Sequence, residues 1–406
     1  MSPLETTIIV GAGHGGSQCA ISLRSEGYEG QIVLVDDDVA SLPYHKPPLS
    51  KKYLLSEDQE AMPLRPASAY DKASVERIQD TVLNIDTATK TITLSKTGEM
   101  PYASLVLATG ASNRVIPALT NLDNVHSIRS LQDTKRLRDL ALRSNSVTIL
   151  GGGFIGLEVA ACFAGMGKTV RVLEASKRVL SRVVAPEISE LVQHKLHELG
   201  ITLELGAMAV EFTKSSNRLD SIHMDDGSSI DIELLIVGIG AMPNDSLAKS
   251  AGIHCDDGIV VDHSLKTSVT DVFSLGDCCR FPHWQTHTSV RLESVQNAVD
   301  QSKQVAQQIA TGVASAYKTV PWFWSDIGPL KLQIAGIYTG ETQTVKRRED
   351  DKFALYHLQN QQVVCVETIN NAKEHMLARK LIALGVSVTA EDIVEGPGRL
   401  KSLLDA

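Results

Sequence analysis

Short apolar, β-branched runs that end on glycine punctuate this chain. Thr6-Thr7-Ile8-Ile9-Val10 leads into Gly11, Leu105-Val106-Leu107-Ala108 into Thr109-Gly110, and Val147-Thr148-Ile149-Leu150 into Gly151. Leu234-Leu235-Ile236-Val237 leads into Gly238-Ile239-Gly240, and Val272-Phe273-Ser274-Leu275 into Gly276-Asp277. Such continuous runs predict strands buried on both faces, the signature of a parallel sheet flanked by other layers. Helical spacing follows the first run, with Ala20 and Leu23, and recurs from Glu187 to Leu199 and from Glu293 to Ile309. From Ser74 to Tyr102 the pattern alternates, as in Thr91-Ile92-Thr93-Leu94-Ser95, and predicts a small antiparallel excursion. Strands are expected near Ile201 and Ile222, with Asp225-Asp226-Gly227 as a turn. Lys331 to Ile337 alternates like a strand again. Pro47-Pro48 forbids a helix through the segment from Ser41 to Lys51 and stiffens that connection.

Two of the glycine turns are fuller than the others. The first reads Gly11-Ala12-Gly13-His14-Gly15-Gly16, then a helix, then Ile32-Val33-Leu34-Val35 ending on Asp36, twenty positions past the last glycine. The second reads Gly151-Gly152-Gly153-Phe154-Ile155-Gly156, then a helix with Glu158 and Ala160, then Val170-Arg171-Val172-Leu173 ending on Glu174, eighteen positions on. Each part has a physical task. One glycine makes the turn, a second lets backbone approach a pyrophosphate, a third lets helix and strand pack closely, and the helix N-terminus turns its positive dipole end to the phosphates. The acid then accepts hydrogen bonds from an adenosine ribose. An ordinary glycine-rich turn, or one degenerate copy, is the bland alternative. Two complete units imply two dinucleotides, and a flavin beside a nicotinamide would give a hydride path between them.

The 406 residues suffice for two or three domains, each with its own core. A net charge of −9 argues against nucleic acid or an anionic membrane surface as the main partner. No apolar run approaches the roughly twenty residues of a membrane span, and no secretory leader is visible, so a cytoplasmic protein is expected. The six cysteines include no CxxC pair, which fits a reduced set. From Lys331 to Asp405 ten Lys/Arg balance ten Asp/Glu, so the C-terminal region is neutral within an acidic chain. A relatively basic face for an acidic partner and scattered solvated charges explain that balance equally well.

Together with Pro47-Pro48-Leu49-Ser50-Lys51, Ala108-Thr109-Gly110, Gly156-Leu157-Glu158, Gly276-Asp277, Arg291-Leu292-Glu293-Ser294 and Pro321-Trp322-Phe323-Trp324-Ser325-Asp326, the fingerprints carry a family resemblance. Over nearly its whole length the chain resembles the FAD-dependent NADH:ferredoxin reductases that serve Rieske oxygenases and cytochrome monooxygenases, of the putidaredoxin reductase type. These belong to the pyridine nucleotide-disulfide oxidoreductase superfamily, with a glutathione-reductase-like fold. The resemblance implies an α/β protein with two Rossmann-like dinucleotide-binding domains and a C-terminal α+β domain. Residues 1–112 and 240–318 would form a discontinuous FAD-binding domain, 113–239 the NAD-binding domain and 319–406 the C-terminal domain.

Carried over by position, the FAD contacts would be Gly11, Gly13, Gly16, Asp36, Lys46, Ala108, Thr109, Gly110, Asp277, Glu293, Ser294 and Val295, with Asp277 on the ribityl chain. The NAD contacts would be Gly151, Gly153, Phe154, Ile155, Gly156, Glu174, Arg182 and Gly240. Lys51 would sit beside the flavin ring and pair with Glu158, near the nicotinamide, and Trp324 would flank the isoalloxazine. No metal is expected. Two departures stand out. Lys46 replaces the usual Arg and loses bidentate geometry, and Ile327-Gly328-Pro329 stands where Gln-Tyr is common.

The implied reaction takes a hydride from NADH to flavin and passes single electrons to a [2Fe-2S] ferredoxin feeding an oxygenase, with the protein aligning the rings. Glu174 would favour NADH by repelling the extra phosphate of NADPH, an effect Arg178 and Arg182 soften. Other readings use the same two fingerprints. A disulfide reductase or NADH oxidase needs a cysteine beside the flavin, and Leu42 to Lys51 contains none. A Cys278-Cys279 redox pair, a metal site from those cysteines with His283 and His287, and a non-catalytic NADH-sensing flavoprotein are further alternatives. His14 is expected to line the FAD site.

Overall fold

The computed structural model describes residues 5–38, 40, 42–55, 61–340 and 342–405. Ser41 of the proline segment and Glu341 of the C-terminal charge count lie outside them. The chain divides into two compact units, Met1–His45 with Ala61–Ser112 and Met242–Pro321, and Lys46–Glu60 with Asn113–Ala241 and Trp322–Ala406.

The first unit is built on a five-stranded parallel sheet, in the order Val272–Ser274, Ser104–Leu107, Thr6–Val10, Gln31–Asp36, Val75–Gln79. Side chains alternate across it, and both faces are covered. Ile9, Leu34 and Val106 pack on one side against Ala20 and Leu23 of the helix His14–Ser25 and Val305 and Ala306 of the helix Val295–Thr311. On the other side Ile8, Val33 and Leu105 meet Ile85, Ile92 and Leu94 of the antiparallel trio Val82–Asp86, Thr91–Leu94 and Gly98–Pro101. The continuous apolar runs are thus explained by burial on both faces.

The second unit repeats the plan. Its parallel sheet runs Thr202–Leu205, Thr169–Glu174, Ser146–Leu150, Leu235–Val237, Val125–His126. An antiparallel trio, Ala209–Ser215, Arg218–Met224 and Ser229–Asp231, lays Leu219, Ile222 and Ile230 against Leu150, Leu173 and Val237. The same unit holds a five-stranded antiparallel sheet, in the order Trp322–Ile327, Leu330–Gly336, Gln362–Ile369, Lys352–Gln359, Gln343–Glu349. The helix Ala372–Leu384 packs on it and is capped by Asn371, whose side chain accepts from the Glu374 amide.

Three expectations need correction. Val75–Gln79 pairs parallel with Gln31–Asp36 instead of opening the antiparallel excursion; it is the edge strand of the main sheet, with Glu76 and Arg77 exposed. The prolines do not keep the segment free of helical structure: Pro47–Ser50 is a 3-10 turn, and a short α-helix, Lys52–Leu55, follows just beyond the segment. Proline fits the first turn, where its missing N–H has no intrahelical acceptor to lose. The helix expected from Glu293 begins at Val295, with Ser294 as its cap accepting from the Asn297 amide at 3.1 Å.

Candidate functional site

In the first unit the glycine turn is fixed by backbone. The Gly11 N–H donates to Val35 O at 2.8 Å, and Gly11 has φ +99°, a conformation natural only to glycine. A Cβ there would lie 2.3 Å from Ala108 O, and one on Gly16 would lie 1.8 Å from Gly11 O. Gly13 differs, since a Cβ there meets nothing within 4 Å. It stands at the start of the helix His14–Ser25, which no side chain caps. A crowded turn beside open space at an uncapped helix N-terminus is the geometry a pyrophosphate requires, so these residues fit FAD. Asp36 ends its strand next to this turn.

The other first-unit candidates are held by their own partners. Thr109 Oγ1 donates to Asn244 O at 2.6 Å and Asn244 Nδ2 donates to Thr109 O at 2.8 Å, which locks the Ala108-Thr109-Gly110 turn. Gly276 turns at φ +75° and donates to Gln301 Oε1 at 2.8 Å, setting Asp277 in a 3-10 turn. Arg291 donates to Asp277 O and pairs with Glu293, which sits just before Ser294 and Val295. His14 meets His45, with Nε2 and Nδ1 3.4 Å apart.

The second unit repeats the cradle. A Cβ on Gly151 would lie 2.4 Å from Gly238 O, and one on Gly156 2.4 Å from Gly151 O, whereas Gly153 meets only Gly238 O at 3.9 Å. Phe154 and Ile155 begin an uncapped helix, Phe154–Gly165. Glu174 is oriented by two backbone donors, Gly152 N–H at 2.6 Å and Ser176 N–H at 2.7 Å. Gly240 turns at φ +102° with the Arg182 guanidinium 3.6 Å from where its Cβ would be. These residues fit a second dinucleotide.

The same unit gathers the charged candidates. Glu158 lies one turn into the fingerprint helix and is 5 % exposed. A buried carboxylate must be paired and hydrogen-bonded, and this one is. Lys51 Nζ stands 3.0 Å from Oε1, Ser50 Oγ donates to Oε2 at 2.6 Å, and Ser325 Oγ donates to Oε1 at 2.6 Å. The Asp326 amide adds a fourth donor at 3.2 Å. Lys51 also reaches Asp326 Oδ2 at 3.5 Å, so its ammonium lies between two carboxylates.

The proline-started turn explains how Lys51 arrives there. Thr134 Oγ1 donates to Leu49 O, anchoring the turn Pro47–Ser50 to the helix Leu131–Arg143, and Lys46, just before that turn, accepts from the Leu49 amide. Along Trp322–Ile327 the side chains alternate. Ser325 and Phe323 turn to the fingerprint helix, where Phe154 and Phe323 ring centroids are 4.6 Å apart. Trp324 turns the other way, half-buried, 5.5 Å from Trp322. Gly328, with φ +56°, makes the hairpin tip, and a Cβ there would lie 3.0 Å from Leu199 Cδ1. The Ile327-Gly328-Pro329 departure is therefore a packing contact with the helices of this unit.

The cysteines do not supply a thiolate. Burial pushes the Cys162 thiol up to about 12, with Glu158 adding to the effect, and raises Cys278 and Cys279 as well. All six are free. No group of three or more His, Cys, Asp or Glu among the described residues is arranged to hold a metal ion. No helix among them is long and apolar enough to cross a membrane.

Sequence reasoning missed Ser50, Ser325, Asp326 and Asn244. The first three lay inside quoted motifs, but nothing in their spacing says which carboxylate or ammonium they meet.

Residues 5–302 match the family described as pyridine nucleotide-disulphide oxidoreductase, and residues 322–404 match a reductase C-terminal domain. The chain belongs to the pyridine nucleotide-disulphide oxidoreductase family. It is an oxidoreductase. Rhodocoxin reductase of Rhodococcus erythropolis is 36 % identical over 399 residues, covering 97 % of this chain and 93 % of its own. Putidaredoxin reductase of Pseudomonas putida is 33 % identical over 392 residues, covering 94 % and 92 %. The crystal structure of a covalent putidaredoxin reductase–putidaredoxin complex superposes with a TM-score of 0.92 at 32 % identity, covering 99 % of this family member and 98 % of that chain.

Proposed function

We propose that this protein takes a hydride from NADH and delivers electrons singly to a [2Fe-2S] ferredoxin that feeds an oxygenase. The observation that carries the reading is the pairing of Lys51 with Glu158 of the second fingerprint helix, whose carboxylate Ser50 and Ser325 also hold. Relatives named as reductases of putidaredoxin, rhodocoxin and terpredoxin support the partner class. We assign residues 1–112 and 240–318 to FAD, 113–239 to NADH and 319–406 to a C-terminal domain that carries Trp324.

When bound, FAD supplies the change from a two-electron donor to a one-electron acceptor. The protein's residues bind and orient. Gly11, Gly13 and Gly16 admit the FAD pyrophosphate, Asp36 takes the adenosine ribose, and Asp277 the ribityl chain. Ala108, Thr109, Gly110, Lys46, Glu293, Ser294 and Val295 complete that set. Gly151, Gly153, Phe154, Ile155 and Gly156 admit the NADH pyrophosphate, with Glu174, Arg182 and Gly240 around the adenosine ribose. Lys51 places a positive charge that favours negative charge developing on the ring, and Glu158 keeps the ammonium in position. Trp324 offers an aromatic face. The free, unpaired cysteines fit a reducing cytoplasm.

The test is anaerobic stopped-flow absorbance of the yellow protein with NADH, then with oxidised two-iron ferredoxin. Rapid bleaching followed by ferredoxin reduction is expected. Bleaching with no transfer to any ferredoxin would favour an oxidase or a sensor, which oxygen consumption separates.

A further inference from the structure

Glu367 is fully buried on the strand Gln362–Ile369. On the neighbouring strand its Oε2 lies 2.8 Å from Nε2 of His357, which is equally buried. The His357 Nδ1 meets Thr342 Oγ1 at 2.9 Å, and its ring lies 5.0 Å from Tyr338. The remaining partner is far away in sequence. The Ala185 N–H donates to both carboxylate oxygens, at 3.0 and 3.2 Å.

Ala185 is the N-cap of the helix Pro186–Glu198 and has no side chain able to cap it. The antiparallel sheet of the C-terminal region therefore supplies an acceptor for the N-cap amide, the place a capping-box carboxylate takes, and adds a second carboxylate to Glu187 at the positive end of that helix. The helix start also closes the loop 175–185, whose other end is Glu174. Inside the loop Leu180 adopts φ +54° and donates to Gly152 O at 3.0 Å. Arg178 folds back on Val184 O at 2.9 Å and Ser181 O at 2.8 Å, and Arg182 stands at Gly240. One end of this loop is tied to the second fingerprint and the other to Glu367.

We propose that Glu367, oriented by His357, is a positioning residue for coenzyme binding. It pins the loop that holds Arg182, and so sets NADH affinity from outside the coenzyme site. This rests on the reading of the second fingerprint as the NADH site. Losing a helix cap costs about 1 kcal/mol, roughly fivefold in a binding constant.

The test compares the Glu367→Ala and Glu367→Gln holoenzymes with wild type in NADH titrations and steady-state kinetics. KM for NADH rises about fivefold to tenfold in Glu367→Ala, while kcat per bound FAD stays within about twofold. Glu367→Gln keeps an acceptor for Ala185 and loses only the charge, so its KM rises about twofold to fourfold. Should Glu367→Ala fail to fold, the Gln variant decides alone. Unchanged KM in the folded variants, or a fall in kcat at constant KM, overturns the inference. Wild-type enzyme with no saturable NADH binding overturns the site reading instead.

Discussion

The two glycine fingerprints share a backbone and differ in what they carry. In each, the first glycine is forced by a carbonyl 2.3–2.4 Å from its missing Cβ, the third packs on the first glycine's carbonyl, and the middle one is open. Two residues past the third glycine they part. The first helix places Gln18 there, bonded to Arg65 and Ser22. The second places Glu158, buried among Lys51, Ser50 and Ser325. The cradle is a binding device that any dinucleotide can use, whereas the buried carboxylate and its ammonium are chemistry added to only one copy. Under the proposed function, repetition marks the two dinucleotide sites and the departure from it marks where the reaction is controlled.

The largest expected effect separates the two cradles. Gly16→Ala forces a methyl to 1.8 Å from Gly11 O, and Gly156→Ala to 2.4 Å from Gly151 O. Overpacking against backbone costs about 1–3 kcal/mol or more. Gly16→Ala is expected to purify without yellow colour, and Gly156→Ala to keep its flavin absorbance but lose reduction by NADH. Full flavin in the first variant would break the assignment of the cradles.

A smaller effect sharpens the contrast between the two acids. Glu174→Ala removes the carboxylate held by Gly152 and Ser176, and the ratio of kcat/KM for NADH over NADPH is expected to fall about tenfold. Asp36→Ala is expected to lower flavin retention and leave that ratio alone. A ratio shifted by Asp36→Ala and not by Glu174→Ala would exchange the two roles.

A pH effect is one the units share. His283 in the first and His375 in the second are each 2 % exposed, and burial lowers each to about 4, helped by His287 and Arg379 respectively. A folded pKa below the ordinary 6.5 means that the unfolded chain takes up the proton first. This stability is present above about pH 6.5 and is lost as pH falls towards 4, by on the order of 3 kcal/mol at most for each histidine. Urea midpoints at pH 7.5 and 4.5 test this, and His375→Phe is expected to flatten the dependence of the second unit. Equal midpoints at both pH values would contradict it.

Much of this was legible in the sequence because it depends on local backbone geometry. Gly11 and Gly151 are imposed by positive-φ turns, Gly16 and Gly156 by the close approach of each helix to the first glycine's carbonyl, and the continuous apolar runs follow from sheets covered on both faces. Side-chain convergence was not legible. Ser50, Glu158 and Ser325 come from three segments far apart in the chain, and Glu367 reaches an alanine amide 182 positions away. Pro47-Pro48 misled because proline opposes helix interiors and favours helix starts, and only the following turn distinguishes the two.

On the proposed function, the Lys51 ammonium, held by Glu158, serves hydride transfer. The direct measurement is the single-turnover rate of flavin reduction by saturating NADH in wild type and Lys51→Met, both carrying full FAD. A loss of about 100-fold is predicted, the scale of removing one group that stabilises developing charge. An unchanged rate would remove Lys51 from the reaction and leave the pair as a structural contact.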